Sequence, residues 1–384
     1  EGAARADRPA SAVEVAPRVT LCTSDDGDLA RRSVKRYVAH YAALIRPAEL
    51  GYDDAWYARV EAALARSTKQ AKICILGRAL PLINNPIMLA EEFAMLDHLS
   101  NGRIVAGFVR GIGTEYFSNS VNPTFSHERL YEAHDLILKA WTETGPFSYR
   151  GKHYQFDYVN LWPRPLQTPH PPIWIPSQGS METVVWAAAK ERRYTYLQTF
   201  SPYPQALRAF RAYRDVALKE GYEPQPSQMG WAVPTYVADT DAEAKRDLAV
   251  HIEDFFNRLI RFPSLEMRMP PGYSSIRSTK QLMAAKFRAR ENATIDKLME
   301  QGIILCGSPK TVRDRILRNQ GEMGFGHLLA MLQIGSQPAD QTERSMRLFA
   351  QEVMPALKAH DDMVALKKAG YECPMAINVS VHKR

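Results

Sequence analysis

Two stretches of the sequence place groups that bind ligands at the end of an apolar run. In the first, Ile104-Val105-Ala106-Gly107-Phe108-Val109 leads into Arg110-Gly111-Ile112-Gly113. The run suits burial on both faces of a sheet, and the glycines beside the arginine allow backbone N–H groups to approach a ligand closely. In the second, Ile173-Trp174-Ile175-Pro176-Ser177 leads into Gln178-Gly179-Ser180-Met181-Glu182-Thr183. Here a strand passes through Gly179 into a helix that opens with Ser180 and carries Thr183 one turn inside, and the unpaired N–H groups of such a turn attract anions. Each feature alone has an ordinary explanation, an ion-pair partner in one case and a helix cap in the other. Together, at the carboxyl ends of neighbouring strands, they favour a clamp for one phosphate and hence a phosphate-bearing cofactor. The glycine pattern is not the dinucleotide fingerprint.

The elements that must position these groups alternate between strand and helix. Strands are expected at 19–23, 52–57, 73–80, 104–109, 173–177, 194–199, 231–238 and 327–333. Helices are expected at 29–50, 60–67, 87–99, 126–142 with Ser126 as N-cap, 180–190, 204–220, 309–318 and 341–357. Asn85-Pro86 reads as a helix start and Asn101-Gly102 as a stop. Residues 145–172 form an aromatic, proline-rich excursion before the fifth strand, more extended than helical. Residues 239–301 form a mostly helical insertion after the seventh, with 303–306 leading into Gly307-Ser308-Pro309. Short apolar strands each followed by a helix predict an α/β fold, a TIM-like (β/α)8 barrel. The predicted organisation is a lead-in at 1–17, disordered or truncated, one barrel domain at 18–360, and a tail at 361–384.

Composition narrows the function. The net charge is +7, but Lys and Arg are scattered among nearly as many acids, which argues against a nucleic-acid partner. No apolar run approaches the roughly 20 residues of a membrane helix. The start lacks a signal core. Cys22, Cys74, Cys306 and Cys373 form no CxxC pair, so a reducing, cytoplasmic setting without structural zinc is expected. His127 and His134 are two helical turns apart, too far to share a metal, and both read as ordinary helix residues. No metal site is expected. Tyr116 and Asn119 read as loop residues, Trp231, Gln198 and Gln333 as core. Phe255, Phe256, Leu259 and Ile260 read as packing against the barrel, with a lipophilic pocket as the alternative.

The segments AEEFAMLDHLSNGRIVAGFVRG, VNLWPRPLQTPHPPIWIPSQGS and GSPKTV carry a resemblance. The chain resembles the bacterial-luciferase-like, flavin-dependent oxidoreductases, most clearly over residues 72–199. The resemblance implies a TIM-like barrel that binds reduced FMN, uses O2 as co-substrate and oxygenates a small, hydrophobic organic substrate. It further implies a separate flavin reductase and a homodimer. Carried onto this sequence, the family's phosphate-binding arginine falls on Arg110 with the Ile112 backbone beside it. The phosphate-binding Ser and Thr fall on Ser180 and Thr183, next to Gly179. The flavin ring of such proteins rests near a bulge, often with a non-prolyl cis peptide, at Gly77-Arg78-Ala79. The family's Glu-His-His loop after the second strand is shortened here, and no histidine occurs between His40 and His98. No catalytic residue is therefore assigned; Tyr57 and Arg59 are the nearest polar substitutes. The shortened loop also motivates two alternatives: a flavin-binding, non-catalytic subunit or paralogue, and a deazaflavin-dependent hydride-transfer enzyme.

Overall fold

The computed structural model describes residues 72–260, 267, 269–273 and 292–360, all within one compact unit, Ser67–Arg384. The strands expected at 19–23 and 52–57 and the helices at 29–50 and 60–67 lie outside the described residues. So do the lead-in, the shortened loop with Tyr57 and Arg59, and the tail at 361–384.

Seven described strands form one parallel sheet: β1 (Ile73–Ala79), β2 (Ile104–Val109), β5 (Ile173–Ser177), β6 (Thr195–Thr199), β7 (Met229–Val237), β8 (Leu305–Gly307) and β9 (His327–Met331). The order is β1-β2-β5-β6-β7-β8. β9 pairs with the first part of β7 (Gly230↔His327 to Pro234↔Met331), and the short β8 pairs with its last part (Thr235↔Leu305 to Val237↔Gly307). Every residue of β7 is buried, as expected for a strand covered on both faces. Helices follow the strands in alternation: α1 (Pro86–Leu99), α2 (Gly113–Ser118), α3 (Ser126–Thr142), α4 (Met181–Ala188), α5 (Tyr203–Lys219), α6 (Asp241–Asp254), α7 (Ile295–Glu300), α8 (Pro309–Met323) and α9 (Ala339–Leu348). This is the curled, mostly parallel β/α arrangement of a TIM-like barrel.

Local chemistry sets the boundaries. Asn85 caps α1, its side chain accepting from the N–H groups of Ile87 (3.1 Å) and Met88 (3.4 Å), with Pro86 as the first helical residue. Asn101 (φ 56°) and Gly102 (φ 74°) turn the chain out of it. Ser308 caps α8 through Thr311 N–H, and Gly324 at φ 68° ends that helix five residues beyond the expected stop at 318. Beneath β2, Phe93, Phe108 and Trp141 form an aromatic cluster with centroids 5.7–6.2 Å apart, and the Trp141 indole donates to Ala90 O at 3.0 Å. Burying each such ring stabilises the fold by about 1.5–3 kcal/mol, so this cluster fixes α1 and α3 against the strand that carries Arg110.

Four expectations need correction. The excursion at 145–172 holds an antiparallel hairpin, β3 (Phe147–Arg150) with β4 (Gln155–Val159). Ser126 is the first residue of α3 instead of its cap; a 3-10 turn, Pro123–Phe125, capped by Asn122, precedes it and frees the Ser126 hydroxyl. Residues 305–307 are a strand. Within the mostly helical insertion at 239–301 and the closing helix at 341–357, the chain passes into π-helical turns at Phe255–Leu259 and Phe349–Val353.

Candidate functional site

The β1–β2 pair carries a bulge where one was expected. Ile75 pairs with Ala106 and Arg78 with Phe108, so Leu76 and Gly77 stand opposite Gly107 alone. Gly77 has φ 89°, and a Cβ on Gly107 would lie 2.4 Å from Ile75 O, so the bulge requires glycine on the facing strand. The cis peptide bonds among the described residues are all X-Pro, so the bulge lacks the expected non-prolyl one. Arg78 pairs with Glu92 of α1 at 3.5 Å, whereas Ala79 lies beside the Arg110 turn, its Cβ 3.2 Å from where one on Gly111 would sit.

Arg110, half-buried just past β2, is held from several sides. Its Nη1 donates to Ser126 Oγ (3.4 Å) at the start of α3 and to the Tyr273 carbonyl. The guanidinium lies 3.8 Å over the Tyr273 ring. The Tyr273 hydroxyl donates to Gly111 O, and the Tyr116 hydroxyl donates to Arg110 O at 2.5 Å. Tyr273 lies 163 residues from Arg110, and no local signal in the sequence ties the two together. Tyr116, expected in a surface loop, is a buried brace, while Asn119 bonds Glu115 O on the surface. The Ile112 N–H is taken by Glu115 Oε2 at 2.6 Å, which closes the first turn of α2, and the Ile112 side chain is exposed.

At the second strand end, Gly179 (φ 95°) turns the chain between Ser177 and α4. Gln205 packs against this turn, 3.1 Å from where a Cβ would project. Ser180 occupies the N-cap position, but no side chain caps this helix: the Ser180 hydroxyl donates to Glu182 Oε2 at 2.9 Å. Thr183 is half-buried in the first turn.

His127 and Tyr131, one turn apart on α3, connect the two strand ends. Their rings stack at 6.0 Å, and Tyr131 stacks on Trp186 of α4 at 5.2 Å. The charges of both Arg110 and Glu182 act on each of them. His127 Nε2 is buried with no hydrogen-bond partner. Burial first, then the Arg110 charge, push its pKa down to about 4 against the opposing pull of Glu182, so the imidazole is neutral at pH 7. His134 on the same helix is a satisfied core residue, bonded to Asp135 (2.8 Å) and to the Tyr194 hydroxyl (2.7 Å). Both histidines lie on α3, as expected, but only His134 has a partner at each ring nitrogen. The signal for His127 was its four-residue spacing to Tyr131 at the helix start after the arginine turn.

The arrangement suits a phosphate monoester: a cation, an uncapped helix start, an unpartnered imidazole nitrogen, and two glycines at positive φ. The core reading of Gln198 and Trp231 agrees with their surroundings: Gln198 is buried between the Tyr196 hydroxyl (2.6 Å) and Ser201 Oγ (2.5 Å), and Trp231 packs on Phe325. Gln333 corrects that reading: it is exposed in the loop before α9, two residues past the end of β9, and accepts from Thr342 Oγ1 (2.6 Å). No group of His, Cys, Asp and Glu that could hold a metal occurs among the described residues. No described helix is long and apolar enough to cross a membrane.

Comparison with known proteins gives a consistent result. The profile of the luciferase-like monooxygenases matches residues 48–325. The oxygenase component of the flavin-dependent trigonelline monooxygenase of Acinetobacter baylyi is 25% identical over 298 residues, 76% of this chain and 78% of that protein. Among solved structures, the FMN complex of the oxygenating constituent of 3,6-diketocamphane monooxygenase from Pseudomonas putida superposes with a TM-score of 0.59. It is 22% identical over 77% of this chain and 82% of that one. An F420-dependent secondary alcohol dehydrogenase superposes with a TM-score of 0.56 at 17% identity, covering 77% and 82%. These structures share the barrel fold.

Proposed function

This chain belongs to the luciferase-like monooxygenase family, and on that footing we propose that it is a flavin-dependent monooxygenase working with reduced FMN and O2. The observation that carries this reading is the convergence of Arg110 and the uncapped first turn of α4 on His127 and Tyr131. In this reading Arg110, Ser180, Thr183 and the backbone around Gly179 hold the flavin phosphate. Tyr273 and Tyr116 keep the guanidinium in place. The ring lies toward the bulge at Gly77-Arg78-Ala79, with Arg78 committed to Glu92, and Ala79 is the small residue beside the Arg110 turn. The Ile112 N–H reaches the phosphate only if Glu115 releases it.

Bound reduced flavin supplies the electrons that activate O2; the chain supplies binding, orientation and exclusion of water. A small hydrophobic substrate suits the aromatic wall formed by Phe200, Phe255 and Phe256, whose rings stand 5.4–6.0 Å apart. A separate reductase would deliver the reduced FMN, and the barrel would work as a homodimer in the cytoplasm. The likeness to an F420-dependent dehydrogenase favours a second reading, hydride transfer from a reduced deazaflavin held at the same phosphate site.

Anaerobic titration with reduced FMN, followed by admission of O2 with and without small aldehydes and ketones, tests the proposal. Tight binding and substrate-dependent O2 consumption are expected. Binding with peroxide release alone would make the protein a flavin carrier or non-catalytic subunit. Absence of FMN binding together with substrate reduction by a reduced deazaflavin would establish the second reading in its place.

A further inference from the structure

We infer that His127 Nε2 is a further ligand of the phosphate held at this site, and that on binding it takes up the proton that answers the phosphate's second negative charge. The inference rests on the phosphate reading given above. Its basis is the His127 Nε2 atom at the start of α3, the one buried imidazole nitrogen without a hydrogen-bond partner among the described residues. Buried polar atoms are nearly always hydrogen-bonded, and His134, two turns along the same helix, meets that rule at both ring nitrogens. The position of His127 is also specific. The preceding residue, Ser126, accepts from Arg110 Nη1 at 3.4 Å, so the imidazole follows directly on a group in contact with the guanidinium.

Charge balance supplies the rest. The groups that act on His127 are Arg110 from the turn after β2 and Glu182 from the first turn of α4; Tyr131, on its own helix, covers one face of the ring. A phosphate monoester brings a charge of about −1.5 to −2 at pH 7. An anion of that charge beside the ring favours the protonated imidazole, in the same direction as Glu182 and against Arg110. In the free protein, burial and Arg110 keep His127 neutral, with its pKa near 4. Bound phosphate reverses that environment. A proton from the buffer forms an N–H bond on the imidazole, and Nε2 then donates to a phosphate oxygen. No electron transfer is involved.

Calorimetric titration at pH 7.5 in two buffers of different ionisation enthalpy counts the protons taken up. The wild type should take up roughly one proton per FMN and none with riboflavin, which lacks the phosphate. His127→Gln should abolish this uptake and weaken FMN by roughly tenfold or more, leaving riboflavin binding unchanged. His127→Lys, which carries its charge permanently, should retain FMN affinity without proton uptake. Equal uptake in wild type and His127→Gln would overturn the inference, as would equal weakening of FMN and riboflavin. Those results leave the phosphate site itself standing, whereas a wild type that binds FMN no better than riboflavin would remove the site and the inference together.

Discussion

Two imidazoles on α3 show how burial alone fails to define a role. His134 is enclosed and fully bonded; His127 is partly enclosed, and its buried Nε2 is unbonded. Both are held below the usual histidine pKa by burial, as is His251 near the end of α6. For a base with a lowered folded-state pKa, the unfolded chain binds more protons as the pH falls. The stabilisation is therefore complete above about 6.5 and declines as pH drops below that value toward the folded-state pKa. Urea midpoints measured from pH 7.5 to 5 should fall accordingly, before the carboxylates titrate. The fall should be shallower in His127→Gln. A midpoint independent of pH over that window would mean that the unfolded chain holds these histidines as neutral as the folded protein does.

At the scale of elements, the bulge in β1 depends on a residue in the neighbouring strand. Gly107→Ala places a methyl group against the Ile75 carbonyl and Leu76 Cα, both backbone, so one strand must move. A loss of about 1–3 kcal/mol is expected, read as a lower urea midpoint, together with weaker flavin binding. Unchanged flavin binding would detach the bulge from the cofactor. Asn85→Ala should cost about 1 kcal/mol through the cap of α1 and leave flavin affinity intact. Much of this layer was legible in the sequence. The runs at 104–109 and 173–177 are short, apolar and bounded by turn residues, and both are strands with those limits. The hairpin of β3 and β4 was not legible, because its alternation in FSYR and QFDYV lies within a proline-rich segment. The π-helical turns leave no mark in the apolar periodicity. At the site, Arg110, Gly179 and Ser180 were legible because each follows its strand directly. Tyr273 was not, since nothing local ties it to a turn 163 residues earlier. His127 was visible as a residue, but its missing partner is a property of three elements meeting.

At the scale of the whole molecule, a family barrel carries the Arg110 turn and the start of α4 at the carboxyl ends of β2 and β5, the two halves of the proposed phosphate clamp. Ligand placement at strand carboxyl ends is the general rule for this fold, and what sets this barrel's site is the ligand that Arg110 would bind there. The parallel strands and their covering helices hold Arg110 and the start of α4 in place, so a variant that loses the proposed phosphate contact should keep its fold. The most direct measurement compares the equilibrium binding of FMN and riboflavin to the wild type and to Arg110→Ala, with thermal unfolding as a check on folding. The account predicts that FMN affinity falls roughly 10- to 100-fold, the worth of a charge-assisted contact, while riboflavin affinity is essentially unchanged. Equal losses for the two ligands would show that Arg110 serves only to anchor Tyr273 and α3, and would contradict the phosphate clamp.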